Sequence, residues 1–502
     1  MADFWSISPE APATGGLDLH LALGAPRPGR GLEGALRDAV TSGRLAPGAR
    51  LPSSRALAAD LGVARGTVAA VYAQLAAEGW LDSRVGAGTW VASPTSAPPA
   101  VAAPPPAEPD RLDLRPGIPD ASAFPRAAWA ASARRAVTEA ATAHLGYGDP
   151  LGDAGLRRAL AAYLARVRGV RTEEAAVVVT HGFGELLALV CRALAGRGAR
   201  RVAVERYGHA AHREVVAAAG LDVVPVAVDG DGLDVAALAA LPGIDAVLVT
   251  AAHQFPTGVA LAPDRRRSLV AWAARTGALV VEDDYDGEFR YDRRAVGALQ
   301  ALAPDRVVYA GTASKALAPG IGLAWGAVPP ALVPDLAHQR RLSGVRPDRL
   351  GQLTLARFLD DHGYDRTVRS RRAAYRARRR RLQEVVEARL PGCRLVGMDA
   401  GLHGLLALLD GVPERAVVRA AAARGLRLAG LGELDASGVV GVAPDPGPQY
   451  VVVGFGAPPG HRYEAALGVL VAAVTDAAAD AVRPGVSAAT SPPAAPARPR
   501  RR

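Results

Sequence analysis

VVYAGTASKALAPG, residues 307–320, contains the only lysine of a 502-residue chain, and the reading of this stretch decides the fold. Its first four residues form an apolar run of strand length, rich in β-branched side chains. Gly311, Thr312, Ala313 and Ser314 follow, so two hydroxyls stand beside Lys315 where the strand stops. Lysine and arginine together number 59, and all but Lys315 are arginine. A composition that replaces lysine so thoroughly leaves one only where a guanidinium cannot serve, and a guanidinium is never deprotonated to a nucleophilic amine.

Outward from this run, residues 177–180, 201–204, 246–250 and 278–281 are further strand-sized apolar runs separated by helical patterns. Strands alternating with helices predict an α/β domain with a largely parallel sheet. Two more features converge on its strand ends. HGFG (residues 181–184) follows a strand and opens a helix expected over residues 185–195, offering backbone amides and a helix dipole to a phosphate. VEDDYD (residues 281–286) sets several carboxylates at the carboxyl end of another strand, where open α/β sheets bind ligands. Carboxylates crowded there are costly unless they meet a cation. An amine for a Schiff base, a carboxylate for a pyridinium nitrogen, and amides with hydroxyls for a phosphate are the parts that pyridoxal phosphate requires.

The totals fit a globular chain of two or three domains, half of it hydrophobic residues. A net charge of +10 permits nucleic-acid binding without requiring it. Much of the excess lies in the arginines of residues 366–381, read as a solvated helix face, and of residues 498–502. Cys191 and Cys393 are far apart and unframed by histidine, which argues against a disulfide or zinc framework and for a reducing cytosol. No metal is expected. MADFWSISPE carries no basic segment followed by an apolar one, and no apolar run approaches the roughly 20 residues of a membrane span. The expectation is a cytoplasmic protein without a membrane partner.

Composition shifts divide the chain. Residues 17–92 are patterned and compact. Residues 93–110 (SPTSAPPAVAAPPPAEPD) read as a Pro/Ala-rich linker, residues 112–482 as the α/β domain, and residues 484–502 as a disordered tail. In the first segment residues 32–42 predict a helix. LPSSRALAADLG (residues 51–62) predicts a second, capped by Ser53 or Ser54 and stopped by Gly62. A third, over residues 63–78, places Val68, Val71, Tyr72 and Leu75 at core spacing. Residues 79–91 then read as a hairpin with a glycine tip. Two helices joined by a tight glycine turn suit a helix-turn-helix whose second helix enters the major groove of DNA.

SGRLAPGARLPSSRALAADLGVARGTVAAVYAQLAAEGWL followed by GAGTWV resembles the signature of the GntR family of winged-helix regulators. The resemblance implies that Arg55, Arg65 and Thr67 contact double-stranded DNA, with Gly86 at the wing tip. Eight arginines against six acidic residues make residues 17–92 only mildly basic. The later motifs YGDPLGDAGLR (147–157), HQFPTG (253–258), EDDYDGEF (282–289) and YAGTASK (309–315) resemble fold-type I aminotransferases. The arrangement is most similar to the MocR subfamily, in which a GntR-like module is fused to such a domain. The resemblance implies that Lys315 carries the internal aldimine, Asp283 pairs with the pyridine nitrogen (Asp284 being the alternative) and Tyr285 reaches the 3′-oxygen. It implies that Gly182, Thr312 and Ser314 hold the phosphate, and that Tyr147 reaches the site from the partner subunit of a homodimer.

Four positions depart from that pattern. Gly322 stands where an arginine usually binds the phosphate, His209 where an aromatic stacks on the ring, and Phe183 where a small polar residue is usual. Val452 stands where an arginine commonly grips a substrate carboxylate, and a missing bidentate arginine removes the main anchor for an amino acid. The expected function is therefore a transcriptional regulator that senses a vitamer or an amine through the Lys315 aldimine. The alternative is an active aminotransferase with an accessory DNA-binding module. A third reading, a regulator that keeps the fold for dimerisation alone, is opposed by the retention of Lys315, Asp283 and Tyr285.

Overall fold

The computed structural model describes residues 28–84, 87–92, 111–291, 296–436 and 449–482. Gly86, the linker 93–110 and the tail 484–502 lie outside the described residues. The chain divides into two compact units, Met1–Ala107 and Glu108–Arg502.

The first unit has three helices, α1 (Pro28–Thr41), α2 (Ser54–Leu61) and α3 (Arg65–Ala77), and a small sheet of β1 (Arg50–Leu51), β2 (Leu81–Arg84) and β3 (Gly88–Val91). Ser53 caps α2, its hydroxyl accepting from the Ala56 amide at 3.1 Å. Gly62 ends α2 at φ 63°, a left-handed conformation that glycine adopts without a Cβ penalty. Only three residues then separate α2 from α3, which is the tight turn expected from sequence. Val68, Val71, Tyr72 and Leu75 form the buried face of α3. They meet Leu32, Leu36, Leu57, Leu81 and Val91 in one core. The Tyr72 hydroxyl donates to the Pro52 carbonyl at 3.0 Å, fixing α3 to the link between β1 and α2. The hairpin is antiparallel, with Leu81 opposite Val91, and β1 adds to it through Arg50 and Trp90.

The second unit is built on a seven-stranded sheet. Its strands are β4 (Val177–Thr180), β5 (Arg201–Glu205), β6 (Asp222–Val226), β7 (Ala246–Val249), β8 (Leu279–Asp283), β9 (Val307–Thr312) and β10 (Ala324–Ala327). Their order is β4-β10-β9-β8-β7-β5-β6, parallel throughout except for β10, which runs antiparallel to both neighbours. Two of these strands lie outside the runs expected from the sequence. β10 reads AWGA, and its smallness is steric: a Cβ on Gly326 would lie 2.8 Å from the Leu186 side chain. β6 contains Pro225, tolerated because this strand is the edge of the sheet. Helices α4 (Ala154–Arg168), α5 (Phe183–Gly196) and α6 (Ala210–Ala218) pack around the sheet. The 27-residue helix α7 (Gly363–Arg389) leads to a four-stranded antiparallel sheet that contains His403–Ala407 and Tyr450–Gly454.

The arginines of α7 correct the expectation of a solvated face. Arg372 donates to the Glu288 carbonyl at 2.9 Å, and Arg378 pairs with Asp120 at 2.8 Å. Arg379 is buried, bonding the Gly397 carbonyl at 3.0 Å and Asp399 at 2.7 Å. These guanidiniums join distant backbone segments to the helix, while Arg369 and Arg376 remain exposed. The helical pattern alone does not distinguish the two roles.

The Ser53 cap gives a direct test of the first unit. Replacing it with alanine strands one amide of α2, and Ser53→Ala is expected to lower unfolding stability by about 1 kcal/mol. Denaturant titration of the two proteins measures this, and coincident midpoints would refute the cap.

Candidate functional site

Because β5, β7, β8 and β9 are parallel, their carboxyl ends share one edge of the sheet. A cleft of about 180 Å³ lies there, lined by Lys315, Asp283, Tyr285, Thr312, Ser314 and Gly182 among others. Six of the residues that the resemblance singles out are thus brought together.

Successive residues of a strand face opposite sides of a sheet, and β8 uses this to separate its acids. Asp283 faces the cleft. Its carboxyl is pushed up to about 8 by burial, against the opposing pull of Lys315. Asp284 turns the other way and is fully committed. Arg168 grips it bidentately, Nε at 2.6 Å and Nη2 at 3.0 Å, and the Tyr309 hydroxyl donates at 2.8 Å. Glu282 accepts the amides of Leu299 and Gln300 at 2.7 and 3.0 Å. Of the three, only Asp283 is placed to meet a ligand.

Lys315 lies just past the end of β9, and its Nζ donates to the Gly117 carbonyl at 2.6 Å. Burial lowers its basicity, and the Asp283 and Asp286 carboxylates raise it in partial compensation. Beside it the Thr312 hydroxyl bonds that of Ser314 at 3.0 Å and accepts the Ser314 amide at 3.1 Å. Helix α5 starts at Phe183, two residues earlier than predicted, with Gly182 as its N-cap and no side-chain cap bond. The amides of its first turn lack intrahelical acceptors. They open beside the two hydroxyls.

Sequence reading missed three groups on the cleft wall, Glu205, His212 and Arg213, and took His209 only as a departure from a ring-stacking aromatic. Glu205, at the end of β5, accepts from the Thr250 hydroxyl at 2.6 Å and from Gln254 at 3.1 Å; burial pushes its carboxyl up to about 7. It thereby fixes the HQFPTG loop. His209, His212 and Arg213 come from α6 and its N-cap. Their spacing, i, i+3 and i+4, is that of one helical face, which is the signal that would have found them. His209 stacks on Phe255 with centroids 4.1 Å apart and 16° between the planes. His212 meets Phe183 edge-on at 4.8 Å. Burial, aided by nearby cations, pushes the two imidazoles down to about 4 and about 3 respectively. Arg213 donates to the Gly208 carbonyl at 3.0 Å and the Asp435 carbonyl at 3.3 Å. Burial lowers its basicity more than its carboxylate neighbours restore it.

The other expected residues lie elsewhere. Tyr147 is 90% exposed and packs against Arg346 at 5.6 Å, outside the cleft of its own chain. Gly322 has φ +59°, a conformation strained for any side chain, so the backbone itself disfavours arginine there. Val452 is fully buried among Tyr207, Leu405 and Leu431. In the first unit Arg55 and Arg65 are exposed and Thr67 is half-buried, all on the helix-turn-helix.

Pyridoxal phosphate fits these residues. Among the described residues Asp283 receives no side-chain hydrogen bond, so the upward push of burial on its carboxyl marks a carboxylate whose charge a protonated ring nitrogen would satisfy. The hydroxyl pair and α5 amides suit the phosphate, and Arg213 is a cation in the same cleft.

Comparison with known proteins agrees with both units. Residues 28–91 match the gntR family of bacterial regulatory proteins, and residues 110–420 match class I and II aminotransferases. The HTH-type pyridoxine biosynthesis transcriptional regulator PdxR of Corynebacterium glutamicum is 34% identical over 79% of this chain and 86% of its own. The probable rhizopine catabolism regulatory protein MocR of Rhizobium meliloti is 31% identical over 79% and 85%. Among solved structures, the alpha-aminoadipate aminotransferase LysN of Thermus thermophilus, complexed with N-(5′-phosphopyridoxyl)-L-leucine, superposes with a TM-score of 0.64. It is 21% identical and covers 74% of this chain and 93% of its own, a likeness of fold.

The Arg168–Asp284 pair, 5% and 1% exposed at the side chains, yields a prediction. Arg168→Leu leaves a buried carboxylate unpaired and is expected to cost about 3–5 kcal/mol. Chemical denaturation checks this, and a loss below about 1 kcal/mol, the scale of an exposed pair, would show that the pair does not act as a buried one.

Proposed function

The chain belongs to the GntR-type transcriptional regulators that carry a class I and II aminotransferase domain, and from that premise we propose that it is a DNA-binding regulator responsive to pyridoxal phosphate. One observation carries the reading: the single lysine and the one uncommitted carboxylate of β8 face the same cleft. The phosphopyridoxyl ligand of the superposable aminotransferase supports it by analogy of fold.

When bound, pyridoxal phosphate supplies an aldehyde that a primary amine can join and a ring that withdraws electrons from that amine. Lys315 is the nucleophile, and its burial favours the neutral amine that nucleophilic attack requires. Asp283 holds a proton at the ring nitrogen. Tyr285 donates toward the 3′-oxygen, and its burial keeps the phenol protonated. His209, already stacked on Phe255, would supply a flat side chain against the ring. Gly182 with the α5 amides, Thr312 and Ser314 receive the phosphate, and Arg213 replaces the countercharge absent at Gly322. Tyr147 completes the site from the partner of a homodimer.

Val452 offers no charge to grip a carboxylate, so the cleft suits detection of the vitamer, or of an amine that displaces Lys315, better than turnover of amino acids. Detection reaches DNA only if the ligand favours one arrangement of the dimer over another. The DNA contacts we assign are Arg55, Arg65, Thr67 and Gly86.

Purified protein mixed with pyridoxal phosphate is expected to gain a visible absorbance band that Lys315→Ala abolishes; no band in the wild type refutes cofactor binding. In gel shifts on the DNA upstream of its own gene, Arg65→Ala is expected to weaken binding and to reduce the salt slope by about 1 if it contacts a phosphate, or to cost about 1–3 kcal/mol if it reads a guanine. Unchanged affinity and slope would place the DNA-reading helix elsewhere.

A further inference from the structure

Three segments separated in sequence meet behind the cleft: HQFPTG, EDDYDGEF, and AGLHG at residues 400–404. His253 and Asp286, each 3% exposed, are joined through Nδ1 and Oδ2 at 2.8 Å. The Tyr285 hydroxyl lies 3.1 Å from the same Nδ1. His403 packs on His253 with centroids 4.9 Å apart at 40°. Neither of its ring nitrogens makes a hydrogen bond of good geometry, although the Pro256 carbonyl lies close enough to act on it. Burial holds His403 well below the usual histidine range, so it is neutral. A side chain at residue 401 would exclude this arrangement: a Cβ there would lie 2.2 Å from His253 Cε1 and 2.4 Å from Asp286 Oδ2.

We propose that His253 and Asp286 form a buried positioning dyad, which fixes the Tyr285 hydroxyl at the cleft wall and sets a second carboxylate behind Lys315. The geometry assigns the protons. An imidazole nitrogen 2.8 Å from a carboxylate donates to it, so Nδ1 carries hydrogen and Nε2, which has no partner in the described residues, carries the lone pair. With Nδ1 acting as a donor, the Tyr285 phenol directs its own proton to the Asp286 carboxylate until a better acceptor enters the cleft. Asp286 also reaches Lys315 electrostatically, after Asp283. The other titratable groups that line the cleft with the amine are Glu205, Tyr207, His209, His212 and Arg213, and His403 also interacts with the amine electrostatically.

This deepens the reading of the same cleft, yet its test needs no cofactor. Because Lys315 is the only lysine, its ionisation can be followed by the pH dependence of its acylation, read as the mass of the one modified side-chain peptide. Asp286→Asn removes a negative charge near the ammonium, so the midpoint is expected to fall by about one pH unit, tenfold in the dissociation constant. His253→Leu leaves Asp286 buried without its donor, which favours the neutral carboxyl, and is expected to shift the midpoint the same way. His253→Asn retains an N–H donor and is expected to stay near the wild type.

Unmoved midpoints in folded Asp286→Asn and His253→Leu, judged by near-ultraviolet circular dichroism, overturn the proposal. So does an equal shift in the Asn and Leu variants of His253, and so does stoichiometric zinc in the purified protein, which would make the cluster a metal site. If a variant fails to fold, nitrogen NMR of histidine-labelled wild type decides. One histidine must hold its proton on Nδ1 throughout the titration, and its absence overturns the dyad. A missing visible band with pyridoxal phosphate, by contrast, sinks the cofactor reading and leaves this titration in force.

Discussion

Neighbouring carboxylates at the end of one buried strand repel each other and lose hydration, and β8 ends in two acids with a third directly after it. The pleat makes this tolerable by sending alternate residues to opposite faces. On one side Glu282 and Asp284 are neutralised by backbone amides, by Arg168 and by Tyr309. On the other, Asp283 is left facing an open cleft with Lys315 across from it. The whole site depends on this division. Arg168 comes from the end of α4 and Tyr309 from the middle of β9, so the packing of the domain and the exposure of one acid are the same arrangement seen from two faces.

Much of this was legible in the sequence because it was written in local chemistry. A lone lysine after a strand, hydroxyls beside it, and acids at a strand end each announce themselves within a few residues. The helix-turn-helix was equally plain, since Ser53 and Gly62 bound α2 by cap chemistry that depends on neighbours in the chain. What stayed hidden depends on distant partners. β10 is made small by Leu186, and α7 looks like a solvated basic helix until its arginines are seen bonding carbonyls from remote loops. The separation of Asp283 from Asp284 was legible only as two alternatives, because the sequence does not say which face of β8 meets Arg168.

The sheet is that of the aminotransferase fold, while two positions at which the resemblance implies an arginine are a buried valine and a glycine in a turn. Two histidines held neutral by burial occupy the wall instead. Such a surface presents ring faces and lone pairs, and among the described residues that line it only Lys315 and Arg213 can bring positive charge.

Gly322 shows what the backbone imposes at one of these positions. Its left-handed backbone turns the chain toward β10, and any L-residue placed there carries strain of about 1–2 kcal/mol. An arginine introduced there by a single substitution therefore meets a turn that must first be rebuilt into a conformation that accepts a side chain. At this position the backbone itself, ahead of any side-chain chemistry, limits what the edge of the cleft can hold.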